Sequence, residues 1–550
     1  MSGALFFAVE IDYFVAGALP SGDVPWGTVE WGADPGTSSA GTDTQTARAS
    51  DLGYRTLASD TGGVQVYPPT VDQAFALNRV VPLPPEAPTS WATGSLRLSN
   101  AGRQYDTLGQ TTNADGRRIR VLQGRKLPDT ARGGYQADPS YASLSVAFVG
   151  VGQPWFLSED ELEIPVRDAS YWLERPLQQA IYAGTGGREG PASLAGQPKP
   201  KARGGTATDP IRNVTPQLVD PANLIYQVSD GPGQIVTLYE GGDAQITFQA
   251  AVSDLYVGAT NAGQYRTESG GFGLFFQLGS RPARPITCDV VGDFPVAGAV
   301  SSAATVLRYL LAEDMALPAE FLDTASFTSL ASAFPYTAGW FWSQPIEGAA
   351  AATELLAALG AKLIPTRAGS IKAIALRAIP GNTMPAATLT TAEIVNMRTV
   401  PLGTPLDPPP YRWRVGYQRA HTVQTTDLDP DVTETRRQFL ALADRYAAWA
   451  STTVLAAYRR PMDPDPVVTA LLRQADADAL AAALGALWSV IPSRRLFDVE
   501  VPMDVGLARD VGDVVRLVYP LAGLDTGALG QIVGESLRAQ DATTTLRVLV

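Results

Sequence analysis

The sequence predicts a multidomain, β-rich α+β protein with barrel-like domains. Its 550 residues suffice for about three to four domains of roughly 150 residues each. Short alternating apolar runs, separated by turn signals from 52 glycines and 42 prolines, fill most of the chain. Helical apolar spacing is concentrated after residue 300. With 45% hydrophobic and 18% charged residues, the chain can bury large cores and is not a disordered polyelectrolyte.

The first 182 residues are expected to form an N-terminal β-rich domain. An apolar strand opens the chain, and it lacks the basic flank of a signal peptide. In the alternating run around residue 164, a period of two places Leu162, Ile164 and Val166 on one buried face. Asp168 or Ser170 is expected to cap a short helix that follows. Further strands are predicted at residues 95–99, 118–122 and 143–149.

Residues 183–223 are predicted to form an extended, exposed arm. Proline and glycine pairs punctuate this stretch, apolar residues are sparse, and Arg188, Lys199, Lys201 and Arg203 make it basic. A loop of this length is usually either disordered or ordered against a partner. Strands are expected to resume over residues 224–290.

A small α+β domain is predicted over residues 291–400. Residues 300–311 and 347–360 have the i, i+3, i+4 spacing of helices, and the second run ends at Gly360. Short strands are expected at residues 338–342 and 370–376. A linker with five prolines follows, at residues 401–410.

The segment 411–550 is predicted to contain two helices and a second barrel-like domain. The helices are expected at residues 431–449 and 465–488, and the second has a proline in its first turn. Strands are then predicted at residues 495–501, 513–519, 529–534 and 543–550.

Composition excludes several classes of chemistry. The chain has one cysteine, Cys288, and one histidine, His421, so it lacks the ligands of Cys/His zinc sites and of HExxH hydrolases. His421 lies in an alternating stretch and is interpreted as a surface or packed residue. No Walker A loop and no G-x-S-x-G motif occurs. We therefore expect no metal and no cofactor. The net charge of −13 disfavours nucleic acid as a ligand.

Several motifs resemble tail proteins of long-tailed phages and prophages of alphaproteobacteria. They are LEIPVRD at 162–168, LERPLQ at 173–178, YAGTGG at 182–187, LAGQPKP at 194–200, NVTP at 213–216 and LIYQVSDG at 224–231. The C-terminal part is similar to the last domain of tail hub proteins, with an Ala-rich helix, a strand containing Val499 and Val501, and GDVVRL at 512–517. Together these stretches cover about two-thirds of the chain.

The resemblance implies a structural, non-enzymatic virion protein at the tail tip of a siphophage. A hub of this family is typically a trimer in which two barrel-like domains per subunit match a threefold tip to a sixfold tail tube. The implied partners are the distal tail protein, the tape measure protein and fibre or spike proteins. The protein would be made in the bacterial cytoplasm, carry no lipid anchor and let DNA pass without binding it specifically.

Candidate assembly residues follow from the sequence and this resemblance. Gly512 and Asp513 suit a turn that enters a strand of the C-terminal barrel. The arm cations Arg188, Lys199, Lys201 and Arg203 are candidates for contacts with a neighbouring subunit. A basic cluster is a candidate interface for an acidic neighbour, with a solvated loop as the favoured alternative; it comprises Arg117, Arg118, Arg120, Arg125, Lys126 and Arg132. The first 100 residues hold ten acids and four bases, which suggests a negative lumen.

Two other functions remain open from sequence. A cell-wall-cleaving tail enzyme would need two carboxylates on opposite sides of a sugar bond, which 55 acidic residues leave open. A receptor- or glycan-binding protein would need aromatic stacking platforms, for which Trp340 and Trp342 are the candidates. Aromatics at alternate strand positions more often belong to a core.

Overall fold

The structure is a computed structural model. It describes residues 4–15, 44–73, 76–84, 93–128, 136–292, 301–538 and 543–550. The predicted β-rich α+β class is confirmed. Within these ranges, no helix is long and apolar enough to cross a membrane.

The N-terminal region is built of short and long strands and one short α-helix. Their bounds are β1 Leu5–Val15, β2 Thr44–Ser50, β3 Tyr54–Arg55, β4 Val66–Tyr67, β5 Val71–Gln73, β6 Ala76–Val80, β7 Thr93–Ser99, α1 Asp106–Thr111, β8 Thr112–Asn113, β9 Arg118–Arg125, β10 Leu127–Pro128, β11 Gln136–Ala137, β12 Ser145–Gly152, β13 Phe156–Leu157 and β14 Glu161–Arg167. As the alternation predicts, Leu162, Ile164 and Val166 are buried. Asp168 caps the 3-10 helix Ala169–Leu173, since its Oδ1 accepts a hydrogen bond from the Ser170 N–H at 2.7 Å.

A second strand-rich unit follows. Its strands are β15 Lys201–Gly204, β16 Ile211–Val214, β17 Gln217–Asp220, β18 Ile225–Ser229, β19 Gln234–Glu240, β20 Thr247–Ala251, β21 Gln264–Gly270, β22 Gly273–Leu278 and β23 Ile286–Val291. They form a five-stranded sheet in the order β17-β18-β22-β21-β20 and a three-stranded sheet in the order β16-β23-β19. Tyr226 and Phe276 stack between neighbouring strands in its core, with ring centroids 5.0 Å apart.

Helices and short strands alternate in the central region. The elements are α2 Ala303–Tyr309, the π-helical turn Leu310–Asp314, α3 Thr324–Ala333, β24 Gly339–Trp342, α4 Gly348–Leu359, β25 Ala361–Pro365 and β26 Ile371–Ala375. Ser302 caps α2 and the predicted glycine stop ends α4, where Gly360 has φ +52°. The apolar faces of α2 and α4 share the largest core of the described residues.

The C-terminal region completes the chain. Its elements are β27 Ala387–Leu389, β28 Asn396–Val400, β29 Arg412–Tyr417, α5 Glu434–Leu440, β30 Arg445–Ala450, α6 Thr452–Ala457, α7 Gln474–Trp488, β31 Leu496–Pro502, α8 Met503–Leu507, β32 Val514–Tyr519, β33 Leu524–Arg538 and β34 Thr543–Leu549.

Both predicted C-terminal helices are shorter than expected. The helix predicted at 431–449 ends at Leu440, because residues 445–450 instead form β30 and pair antiparallel with β29. The helix predicted at 465–488 begins at Gln474. The preceding residues are extended because Val467 pairs with β29: its N–H donates to the Arg414 carbonyl at 2.8 Å. Backbone pairing with a distant strand thus overrides the local helical pattern.

One sheet contains strands from both ends of the chain. Its order is β2-β1-β9-β12-β14-β7-β6-β33-β34-β31-β28, and β32 adds to β33. The junction is the antiparallel pair β6–β33, with Leu77 opposite Leu537 and Val80 opposite Gly534. The N-terminal and C-terminal β-rich segments, expected to be separate domains, are therefore joined edge to edge.

Candidate functional site

Two cations of the predicted arm lie inside the fold. The Lys201 and Arg203 side chains are 6% and 4% exposed, and both contact Asp314 at the end of the π-helical turn. Arg203 holds this carboxylate with two hydrogen bonds, Nε to Oδ2 at 2.9 Å and Nη2 to Oδ1 at 2.6 Å. Lys201 contacts Asp314 at 2.8 Å and Asp230 at 2.7 Å. The two positive charges are thus neutralised by two buried carboxylates.

The expectation of an exposed arm is therefore wrong. Strand β15 pairs antiparallel with β24, so that Lys201 lies opposite Trp342 and Arg203 opposite Trp340. A side chain at Gly204 would place its Cβ 2.4 Å from the Ala338 carbonyl oxygen, so only glycine allows this close approach. The carboxylate partners lie 27 to 113 residues away in the sequence, which is why local composition gave no sign of them.

The other two arm cations are also paired within the chain. Arg188 contacts Glu268 at 2.7 Å and Asp254 at 2.9 Å, and its guanidinium lies over the rings of Tyr256 and Phe272. These contacts fix the loop at residues 187–189 against the five-stranded sheet.

Lys199 anchors the next part of the arm. Its Nζ contacts Glu189 at 2.7 Å and lies 5.5 Å from the ring centre of Tyr182. The hydrogen bond from Lys199 is the main cause that lowers the pKa of the Glu189 carboxyl. Arg188 and Lys199 therefore attach the arm to its own unit.

The basic cluster near β9 lies at the surface. Arg118 is 51% exposed and contacts Asp12 at 3.4 Å, and Arg125 is 42% exposed and contacts Asp504 at 3.3 Å. Arg117 is half-buried.

The two remaining described cations of this cluster, Arg120 and Lys126, are less exposed. Arg120 lies 3.4 Å from Glu10 and donates to the Tyr141 hydroxyl at 3.0 Å. Lys126 pairs with Asp138 and lies 4.8 Å from the Phe6 ring centre. Arg132 lies outside the described residues, as do five of the ten acids in the first 100 residues. The lumen hypothesis therefore stays a prediction.

The candidate glycan platform is wrong. Trp340 and Trp342 are 8% and 4% exposed, and both belong to the largest core. Every residue of β24 is buried because β15 covers one edge of the strand and core side chains cover its faces. Trp340 packs edge-on against His421, with ring centroids 5.1 Å apart. Neither indole presents a face on which a sugar could stack.

Gly512 and Asp513 form the turn that enters β32. Gly512 has φ +100°, and its N–H donates to the Ile532 carbonyl at 2.8 Å. The Asp513 carboxylate accepts a hydrogen bond from the Asp510 N–H at 2.9 Å. This turn thereby holds Asp510 beside two cations, Arg79 and Lys372, each 2.7 Å away.

Sequence analysis missed Arg79, which lies in the junction strand β6. Its side chain is fully buried and contacts Glu535 of β33, Asp510 and, at 2.8 Å, the Pro365 carbonyl. Burial alone would raise the pKa of the Asp510 carboxyl, but the charges of Arg79 and Lys372 outweigh it and lower this pKa to about 2. The sequence carries a signal for the burial of Arg79, because the strand period of two places it on the same face as the apolar Leu77.

Among the residues that the structure describes, the single histidine and the single cysteine are packed side chains. Among these residues, no group of three His, Cys, Asp or Glu side chains could hold a metal ion. His421 packs against Trp340 and Phe341, as a packed residue was expected to do, and burial lowers its pKa. Burial raises the pKa of the Cys288 thiol well above its usual value. Neither group is suited to act as an acid, base or nucleophile near neutral pH.

No protein-family model and no curated protein matches the sequence. Solved structures do show similarity. A tail protein from Neisseria meningitidis MC58 has a TM-score of 0.36 and 12% identity, covering 90% of this chain and 96% of that one. The 43 kDa tail protein of prophage MuSo2 from Shewanella oneidensis has a TM-score of 0.32 and 9% identity, covering 89% and 95%.

A prophage tail protein from Listeria monocytogenes EGD-e has a TM-score of 0.28 and 8% identity, covering 88% of this chain and 91% of that one. At these sequence identities and TM-scores, the similarity does not identify the function of this chain.

Proposed function

We propose that this chain is a structural, non-enzymatic subunit of a phage tail, and specifically the hub of the tail tip. The observation that carries the proposal is the sheet that joins the N-terminal and C-terminal strands through β6 and β33. A hub that matches a threefold tip to a sixfold tube needs two adjoining β-rich units in each of three subunits. The sequence motifs at residues 162–231 and 512–517 support the same assignment.

The buried ion pairs of Arg79 with Glu535 and Asp510 give the junction the rigidity that this role requires. A ring keeps its pseudo-sixfold geometry only when the two units of each subunit stay at a fixed angle. Backbone pairing between β6 and β33 joins one edge, and the buried Arg79 ties both strands to the Asp510 turn and to β25. Opening the junction would also expose Leu77 and Leu537, which lie opposite each other and are buried, so the junction resists opening.

An exposed apolar hairpin is the surface that we assign to contact with a neighbouring subunit. The tyrosines of β3 and β4 are buried, whereas four aliphatic side chains in and beside this hairpin are 40% exposed or more: Leu52, Leu57, Val64 and Val66. Leu127, also exposed, lies nearby because Asp138 accepts hydrogen bonds from both Lys126 and the Arg55 N–H. Clustered exposed aliphatic residues of this kind mark interaction sites.

A hub at this place would contact other tail proteins and let DNA pass through it. The distal tail protein, the tape measure protein and fibre or spike proteins would contact the homotrimer. A net charge of −13 on each chain would keep passing DNA from adhering to the ring. The protein would be located in the virion, at the tail tip.

Gold-labelled antibodies against the chain, applied to phage particles that carry it, test the location. We expect label at the tail end opposite the head. Label along the tail tube, on the head or on no particle would contradict the proposal.

The apolar hairpin is tested separately by changing Val64 and Val66 together to glutamate. The variant should lose the trimer in light scattering while keeping its fold by circular dichroism. The control is Val257→Glu, since this valine is 68% exposed but lies in another unit. A trimer unaffected by the double substitution would remove the hairpin from the interface.

A further inference from the structure

We propose that a cavity between the arm and the end of β24 binds one unit of an uncharged saccharide. The cavity has a volume of about 360 Å³, within the range of small-molecule sites. Its polar lining consists of Tyr182, Gln197, Thr215, Gln217, Ser343 and Gln344. Three prolines supply most of the rest: Pro198, Pro200 and Pro345.

The lining carries no charged side chain, although cations surround it in the sequence. Lys199 contacts Glu189, and Lys201 and Arg203 contact Asp314, so these cations are held by acids elsewhere. A carboxylate or phosphate ligand would find no counter-charge in the cavity. The occupant that fits is therefore neutral.

Amide and hydroxyl side chains make up the polar part of the lining. Each glutamine offers a carbonyl acceptor and two N–H donors, and each hydroxyl both donates and accepts. Sugar hydroxyls also both donate and accept hydrogen bonds, so they can pair with each of these amide and hydroxyl groups. The proline rings supply apolar surface, which suits the C–H faces of a pyranose.

The cavity is formed before any ligand arrives. The Tyr182 N–H donates to the Gln197 carbonyl at 2.9 Å, and the Tyr182 carbonyl accepts from the Gly196 N–H at 2.9 Å. The Gln344 carbonyl accepts from the Gln178 side chain at 2.6 Å, and the Thr215 hydroxyl lies 2.7 Å from that of Thr422. Walls held by such bonds lose little conformational freedom on binding.

This site lies within one chain, so it does not depend on the hub proposal. It also differs from the tryptophan platform expected from sequence, because its polar groups come from the arm and from the residues just after Trp342. Saccharide binding by the isolated chain could be present whether or not the chain assembles.

The test begins with a glycan array that carries neutral hexose, N-acetylhexosamine and deoxyhexose oligosaccharides beside sialylated and uronic-acid oligosaccharides. The full chain should bind at least one neutral glycan and prefer it to its acidic analogues. The dissociation constant of the best neutral glycan is then measured by titration calorimetry for the unchanged chain and for each variant.

Gln217→Ala should weaken this binding at least tenfold, and Ser343→Trp, which fills the cavity, should abolish it. Gln438→Ala is the matched control, since Gln438 is an exposed glutamine on α5, and its dissociation constant should stay within twofold. If Ser343→Trp does not fold, Gln344→Ala replaces it, with the same tenfold criterion. Binding of no neutral glycan, a preference for charged glycans, or equal binding by the pocket variants and the control would overturn the proposal.

Discussion

Two groups of basic residues look alike in the sequence and behave differently in the fold. The arm cations Lys201 and Arg203 are buried between carboxylates, whereas Arg118 and Arg125 lie at the surface with longer ion contacts. Buried ion pairs that lose one partner leave an uncompensated charge, while exposed pairs are screened by water and salt. Lys201 and Arg203 therefore stabilise the fold, whereas Arg118 and Arg125 are exposed enough to contact a partner.

The largest loss of stability is expected in the buried cluster formed by Lys201, Arg203, Asp230 and Asp314. Arg203→Ala should lower the free energy of unfolding by about 3–5 kcal/mol, because Asp314 then keeps a buried charge with Lys201 as its only close counter-ion. Urea unfolding followed by tryptophan fluorescence measures this loss. A change below 1 kcal/mol would mean that the arm is not held by this cluster.

A similar loss is expected for the strand that pairs with the arm. Trp340→Ala should cost about 3–5 kcal/mol, because it leaves a cavity in the largest core. The matched control is Phe156→Ala, whose aromatic ring is 65% exposed and which should change stability by about 0.5 kcal/mol. Equal unfolding midpoints for the two variants would show that Trp340 is not a core residue.

A smaller effect, dependent on pH, is expected at the junction of the two β-rich units. The folded pKa of Asp510 is about 2, below its usual value of 3.8, so its ionised form stabilises the fold above about pH 4. This contribution, about 2 kcal/mol, should disappear as the pH falls from about 4 towards 2. In parallel acid titrations of stability, Asp510→Asn should show a shallower decline over this window. Identical slopes would contradict the assigned ion pairs.

The smallest effect is expected at the surface group. Arg118→Ala together with Arg125→Ala should change the free energy of unfolding by less than about 1 kcal/mol per residue, and the change should shrink in high salt. The same urea experiment detects it. A loss comparable to that of Arg203→Ala would remove the contrast between the two groups.

Local patterns predicted much of the fold and little of the site. The strand face of Leu162 and Ile164, the cap at Asp168 and the stop at Gly360 follow from neighbours in the sequence, and all three are observed. The burial of Arg203 and the strand β30 depend on partners far along the chain, Asp314 and β29. Side-chain pairing over such distances leaves no local signal.

The saccharide cavity was hidden for the same reason. Gln197, Gln217 and Gln344 are unremarkable polar residues in separate segments, and only the folded chain places them around one volume. By contrast, the tryptophans of β24 were candidates for sugar binding because exposed aromatic rings can stack on sugars. In the fold, β24 pairs with β15 and both tryptophans are buried.

The native mass of the purified chain tests the hub proposal most directly. Light scattering over a range of concentrations should give three times 58.2 kDa, with a ring or cup outline in negative-stain images. A mass of one chain at every concentration, alone and with the distal tail protein added, would contradict the account.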